Sequence, residues 1–402
     1  MKSWKRVVFG ALFAGVTLVA LNYQHTVLAQ KDGDDDPYYE VDPNWPQLLS
    51  QDLDWSRTPS IYAESPNRVY VFQTGQIPTS YRAAPVNDPV HPNWPHKSFP
   101  GLANCRPSRC IPGESPIIDG ATKKPLPGAR WEHLLNVFDA NGKLVESWDQ
   151  SFNDQILNPH GIQINPNDPE RHVWVLDNGG DRVLKYTHDG KHLVMAVGEF
   201  GKTASDRTHL GGPSGLAFFP NGDFLVTDGY KNSRVVKFSK DGKWMMEWGK
   251  KGTGPGDFDT PHSVEILADG RIIVGDRGNK RIQIFDQSGK YLTEIMAVYP
   301  NDLAISVDQR SLYVSQGGPD AETEIRTYSL PATGAPRLVS SWGRPLGGKP
   351  GTLWGAHGFS RDSDGNMYFG ESWGGRAWKY RVKKGVNPAT LPFKPFKRNT
   401  FK

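Results

Sequence analysis

Three histidines stand in nearly the same local setting along this 402-residue chain. They occur in Pro159-His160-Gly161, Pro261-His262-Ser263 and Ala356-His357-Gly358, with gaps of 102 and 95 residues. A lone histidine in a turn needs no special role. Recurrence at one position of a repeating pattern is different, because a closed repeat brings equivalent positions together. Three imidazoles that converge can hold a metal ion and leave coordination positions open, as in catalytic zinc sites. Imidazole suits several transition metals, so zinc is the first expectation and copper or iron are alternatives.

The elements that must position these rings are short strands. The clearest unit runs from Gly212 to Gly249. A Pro-Ser-Gly opening leads to an apolar strand, the turn Pro220-Asn221-Gly222-Asp223, then Phe224-Leu225-Val226-Thr227-Asp228. Arg234-Val235-Val236-Lys237-Phe238 follows, then Asp241-Gly242-Lys243, then Met245 to Trp248. Four strands joined by turn residues make one propeller blade. The order recurs from Pro159 through Lys191, from Pro261 through Lys290, from Pro300 to near Trp342, and from Gly355 to Tyr380. An interrupted first unit holds Pro59-Ser60-Ile61, Val69–Phe72 and Leu135–Phe138.

The count is six, which predicts an all-β, six-bladed β-propeller over about residues 51–386. The opening positions are then Ser60, His160, Ser214, His262, Asp302 and His357, with histidine on every other blade. Inner strands line a propeller's channel, so alternate blades place the three rings about 120° apart around the axis. An insertion at about 78–130 departs from the first blade and carries both cysteines, Cys105 and Cys110, which a disulfide can join in an oxidising compartment. Residues 30–50 read as an N-terminal extension and 387–402 as a basic C-terminal tail, each either a clamp on the ring or a disordered end.

Lys2, Lys5 and Arg6, the apolar run Val7–Leu21 and Val27-Leu28-Ala29 have the form of a secretory signal over residues 1–29. The run is short for a membrane span, so membrane attachment is expected only if the signal stays uncleaved. The implied location is periplasmic or secreted. Removing the three basic residues takes the formal charge from +4 to +1, which argues against a nucleic-acid partner. An acidic residue precedes Arg by five or six positions in Asp177/Arg182, Asp228/Arg234, Asp276/Arg281 and Glu371/Arg376, and these are expected to be structural ion pairs within blades. Gly198-Glu199-Phe200-Gly201 falls in a blade turn and not in a strand-to-helix phosphate loop.

Phe224–Phe285 resembles the NHL-repeat family that includes peptidyl-α-hydroxyglycine α-amidating lyase. Thr227-Asp228-Gly229-Tyr230-Lys231-Asn232-Ser233-Arg234, Trp248-Gly249, Pro261-His262-Ser263 and Asp276-Arg277 carry the likeness, and Pro159-His160-Gly161 fits it. The resemblance implies a catalytic zinc on His160, His262 and His357, a base at Tyr230 and a guanidinium at Arg277 near the site. It implies cleavage of a peptidyl-α-hydroxyglycine into an amide and glyoxylate. Two departures stand out: Thr74 replaces the family's first-blade arginine, and Gly358 replaces an aspartate that also serves a structural calcium. Arg82, within the insertion, is a candidate replacement for the missing guanidinium. A peptide or other small polar substrate is therefore expected. The alternatives are a non-catalytic propeller binding a protein or carbohydrate on its face, and a metal-dependent hydrolase on the same fold.

Overall fold

The computed structural model describes residues 36–47, 53–54, 57–74, 77–78, 133–318, 321–343, 353, 355–372 and 376–400. The leader, both cysteines, Arg82 and most of the insertion lie outside these residues. Six four-stranded antiparallel sheets follow one another around an axis. Blade three shows the pattern: Pro213–Phe218 is innermost, then Phe224–Asp228, Arg234–Phe238 and the rim strand Trp244–Trp248. Its two inner strands are wholly buried, whereas every other residue of the rim strand is exposed. That gradient explains the sequence: inner strands lie between neighbouring blades and read as continuous apolar runs, while the rim alternates.

Blades pack face to face through large side chains. Trp174 and Leu176 of blade two bury against Leu216, Phe218, Phe224 and Val226 of blade three. Within blades, the predicted ion pairs form at 3.2 Å for Arg182–Asp177, 2.9 Å for Arg234–Asp228, 2.8 Å for Arg281–Asp276 and 3.6 Å for Arg376–Glu371. Each ties the second strand to the third.

Closure of the ring uses both ends of the chain. Blade six takes Ala356–Arg361, Met367–Glu371 and Arg376–Val382 from the C-terminal part, and its rim strand is Tyr39–Val41 from the segment read as an extension. The basic tail folds back over the ring: Phe393 and Phe396 are buried with Tyr39, Tyr313 and Phe359. Lys397 and Arg398 then reach the end of the channel, beside Glu265 of the blade-four inner strand.

Burial raises the Glu265 carboxyl from 4.5 to about 7, against the partial relief from Arg398 and Lys397. Between those values the unfolded chain has released this proton and the folded chain has kept it, so rising pH favours unfolding. The loss grows from pH 4.5 to about 7, is constant above, and amounts to about 3 kcal/mol. Glu265→Gln should remove it. Urea denaturation at pH 4.5 and pH 8 is expected to show the variant gaining about 3 kcal/mol on the wild type over that interval. A difference that does not change with pH would show that this carboxyl titrates normally.

Candidate metal centre

The local cause of the histidine geometry is a repeated bulge. In blades two, four and six the ladder register shifts between Pro159 and Gly161, between Pro261 and Ser263, and between Ala356 and Gly358. The skipped residue in each case is the histidine. A bulged residue leaves the ladder and is re-aimed, and here it turns toward the axis. The same shift occurs between Pro213 and Gly215 and between Pro300 and Asp302. It corrects one sequence assignment: the blade-five equivalent of the histidines is Asn301, not Asp302.

The three rings meet. Their centroids lie 4.9 Å apart for His160–His262, 4.7 Å for His160–His357 and 4.6 Å for His262–His357. One nitrogen from each falls within 4.8 Å of the others, a grouping able to hold a metal ion. All three rings are buried, with exposures of 2%, 1% and 7%. Burial pushes His160 and His262 well below the usual imidazole range and takes His357 to about 3, with the Arg277 and Arg57 charges acting in the same direction on His160 and His357. They are neutral at ordinary pH, the form that ligates metals.

Backbone carbonyls set the tautomers. His262 Nδ1 donates to Asn301 O at 2.6 Å and His357 Nδ1 donates to Pro59 O at 2.8 Å. Both Nε2 atoms therefore carry lone pairs, yet they face each other at 3.1 Å. Two acceptors at that distance repel unless a cation lies between them. The Tyr230 hydroxyl approaches His160 Nε2 at 3.0 Å and His262 Nε2 at 2.9 Å; His262 Nε2 can only accept, whereas no hydrogen bond at the buried His160 Nδ1 fixes that ring's tautomer. Ligand atoms around a tetrahedral zinc are separated by about 3.3 Å, given metal–nitrogen bonds of about 2.0–2.1 Å. The donor set fits one small transition-metal ion.

Tyr230 is held from behind. Its N–H donates to Gly212 O at 3.1 Å, and Gly212, at φ +73°, has no room for a side chain because a Cβ would lie 2.6 Å from Tyr230 Cβ. Next to it, Lys231 Nζ bonds both carboxylate oxygens of the buried Asp181 at 2.6 and 2.7 Å. Arg277 lies near the cluster, as its effect on all three imidazoles shows, and its Nε is buried without a hydrogen bond.

A second guanidinium also acts there, and sequence reasoning missed it. Arg57 lowers the basicity of His160 and His357 and interacts electrostatically with Tyr230 and Arg277. Thr74, the residue standing where the family has arginine, donates its N–H to Arg57 O at 2.9 Å. The charge thus comes from the chain segment paired beside Thr74. Its only sequence signal was its place two residues before Pro59-Ser60.

The glycine at 358 is required by the packing: a Cβ there would lie 2.9 Å from Pro59 O and 3.1 Å from Ser60 Cα, so an aspartate would fit only if the neighbouring strand moved. The three histidines line a small axial cavity of about 40 Å³, bordered also by Ser60, Ser214, Ser263 and Asn301 and reached by Arg398. That volume accommodates only a few waters.

A family model described as a 6-bladed beta-propeller matches residues 203–313. NHL repeat-containing protein 3 of Homo sapiens is 34% identical over 206 residues, 47% of this chain and 57% of that protein. Peptidyl-alpha-hydroxyglycine alpha-amidating lyase 1 of Drosophila melanogaster is 28% identical over 209 residues, 48% of this chain and 37% of that one. The chain is a six-bladed β-propeller, similar in sequence to NHL-repeat proteins and to amidating lyases. Peptidyl-glycine alpha-amidating monooxygenase B of Xenopus laevis is also similar to this propeller, at 34% identity over 172 residues, 41% of the chain and 19% of that protein. The propeller chain spans between 19% and 57% of the length of these relatives.

Proposed function

We propose that the protein is an exported metal-dependent lyase of the amidating type, which cleaves the C–N bond of an α-hydroxyglycine-like substrate. The observation that carries this reading is the Tyr230 hydroxyl, within 3.0 Å of two histidine Nε2 atoms, beside a centre on whose imidazoles the Arg57 and Arg277 charges act. His160, His262 and His357 would hold the ion. When bound, zinc or a similar ion supplies Lewis-acid polarisation of a substrate oxygen.

The chain's own residues do the rest. Arg57 and Arg277 bind the substrate carboxylate through charge-assisted hydrogen bonds. Tyr230, acting as its phenolate, takes the proton of the α-hydroxyl and becomes the phenol. As the C–O bond becomes a carbonyl, the C–N bond breaks. The phenol so formed at Tyr230 returns that proton to the leaving nitrogen, so the products are an amide and a glyoxylate-type aldehyde acid, and Tyr230 is again the phenolate. The buried histidines stay neutral throughout.

The test is glyoxylate release from a small N-acyl-α-hydroxyglycine by zinc-loaded protein, for wild type and Tyr230→Phe. The variant is expected to keep its zinc and lose about 10²- to 10⁴-fold in kcat, the usual worth of a general base. No glyoxylate from zinc-loaded wild type would end the lyase reading and favour a binding propeller.

A further inference from the structure

We infer that Arg398, from the C-terminal tail, is a positioning residue for the histidine centre: a built-in cation on the propeller axis that fixes the strands carrying His262's partner and His357. The guanidinium is buried, with 8% of the residue exposed. Nη1 donates to Asp302 Oδ1 and to Leu303 O, each at 2.9 Å. Nη2 donates to Asp302 Oδ2 at 2.9 Å and also to Phe359 O. One planar group therefore joins the inner strands of blades five and six, which also share the Phe359 N–H to Asp302 Oδ2 bond at 3.2 Å.

Its position along those strands gives the joint a functional consequence. Asp302 follows Asn301, whose carbonyl sets the His262 tautomer at 2.6 Å. Phe359 lies two residues beyond His357 on the same strand. Shifting either strand along its neighbour would move an imidazole nitrogen relative to the other two, and metal sites tolerate little such error.

The tail around Arg398 is anchored to other blades as well. Tyr62 of blade one donates its hydroxyl to Arg398 O at 2.5 Å. Lys397 Nζ bonds Ile266 O of blade four at 2.5 Å. Asn399 Nδ2 bonds Ala63 O at 2.9 Å and Ser360 Oγ at 3.0 Å, across the seam between blades one and six. A surface strap would need only these outer contacts. A buried guanidinium bidentate to a carboxylate and shared by two strand carbonyls is the bonding pattern of a cross-linking cation.

The experiment uses the mature chain with Arg398→Gln, Arg398→Lys and the double change Asp302→Asn with Arg398→Gln. The double variant guards against unfolding, since it removes the Asp302 carboxylate together with its partner, while Glu265 keeps the Lys397 charge. Zinc affinity is measured by chelator competition well below each melting temperature. The imidazole nitrogen resonances of the metal-free proteins are measured alongside. Arg398→Gln and the double variant should bind zinc about 10- to 100-fold more weakly, the range for outer-shell partners, and Arg398→Lys should recover part of that. The His262 and His357 resonances should move from a fixed Nδ1–H form toward tautomer averaging. A folded double variant with wild-type resonances and zinc affinity would overturn the inference and leave the tail a structural fastener. The affinity readout rests on the metal-centre reading, but the resonances do not. Wild type that takes no zinc would sink only that reading, and the resonances would still decide the role of Arg398.

Discussion

His262→Ala is expected to empty the centre of metal. In elemental analysis the wild type should carry about one equivalent of a transition metal, and the variant should carry none after dialysis against a weak chelator. His262 is the hub of the cluster. Its Nε2 lies 3.1 Å from His357 Nε2 and 2.9 Å from the Tyr230 hydroxyl, and its ring centroid lies 4.9 Å from that of His160. Removing a ligand should weaken zinc binding beyond the roughly 10- to 100-fold that loss of an outer-shell partner produces. Two imidazoles and water do not replace three. The fold should survive: the change leaves Asn301 O without its partner, which costs about 1–3 kcal/mol, or a few degrees in Tm for a domain of this size. His172→Ala is the control. That ring is also buried but bonds Asp168 at 2.7 Å on blade two, away from the axis, and its loss should leave the metal in place. Tight metal retained by His262→Ala would show that the three histidines are not the site.

How much of this was legible in the sequence follows from the range of the interactions involved. The blades, their order and the three histidines came from short-range chemistry repeated many times: Asp-Gly turns, apolar inner strands and a histidine at the opening of alternate blades, after proline in two of the three. What sequence could not resolve depended on register or on contacts between distant segments. Asp302 was placed one residue out of phase because the bulge between Pro300 and Asp302 is a property of the paired strands. Tyr39–Val41 was set outside the ring, yet it pairs with Arg376–Val382 across more than 330 residues of chain, which no local pattern encodes. The tail was legible as basic, but not as the bearer of an axial guanidinium. Arg57 escaped notice because the family likeness pointed to the position of Thr74, while the charge comes from the segment bonded beside it. The fold was thus written in repetition, and the parts of the site that distinguish this chain were written in pairings.

Those pairings decide the second large effect, the selectivity for a carboxylate. Arg57→Ala and Arg277→Ala are each expected to lower kcat/KM for an N-acyl-α-hydroxyglycine by about 10- to 150-fold, from the loss of about 1.5–3 kcal/mol per charge-assisted hydrogen bond. The reason is that both charges act on the histidines and on each other, so two like charges are gathered at one small site. Like charges held close are unfavourable on their own, and an anion placed between them relieves the repulsion. The double variant should therefore lose less than the product of the two single losses, because each single variant already removes that repulsion. The measurement that isolates this role is the same comparison with the substrate carboxylate replaced by a carboxamide. Wild type should turn over the neutral analogue poorly, and neither substitution should slow it much further. If carboxylate and carboxamide substrates suffer equally, the arginines are supporting the centre rather than binding the substrate anion. In that case zinc affinity should fall in the same variants, which the metal analysis used for His262→Ala would detect.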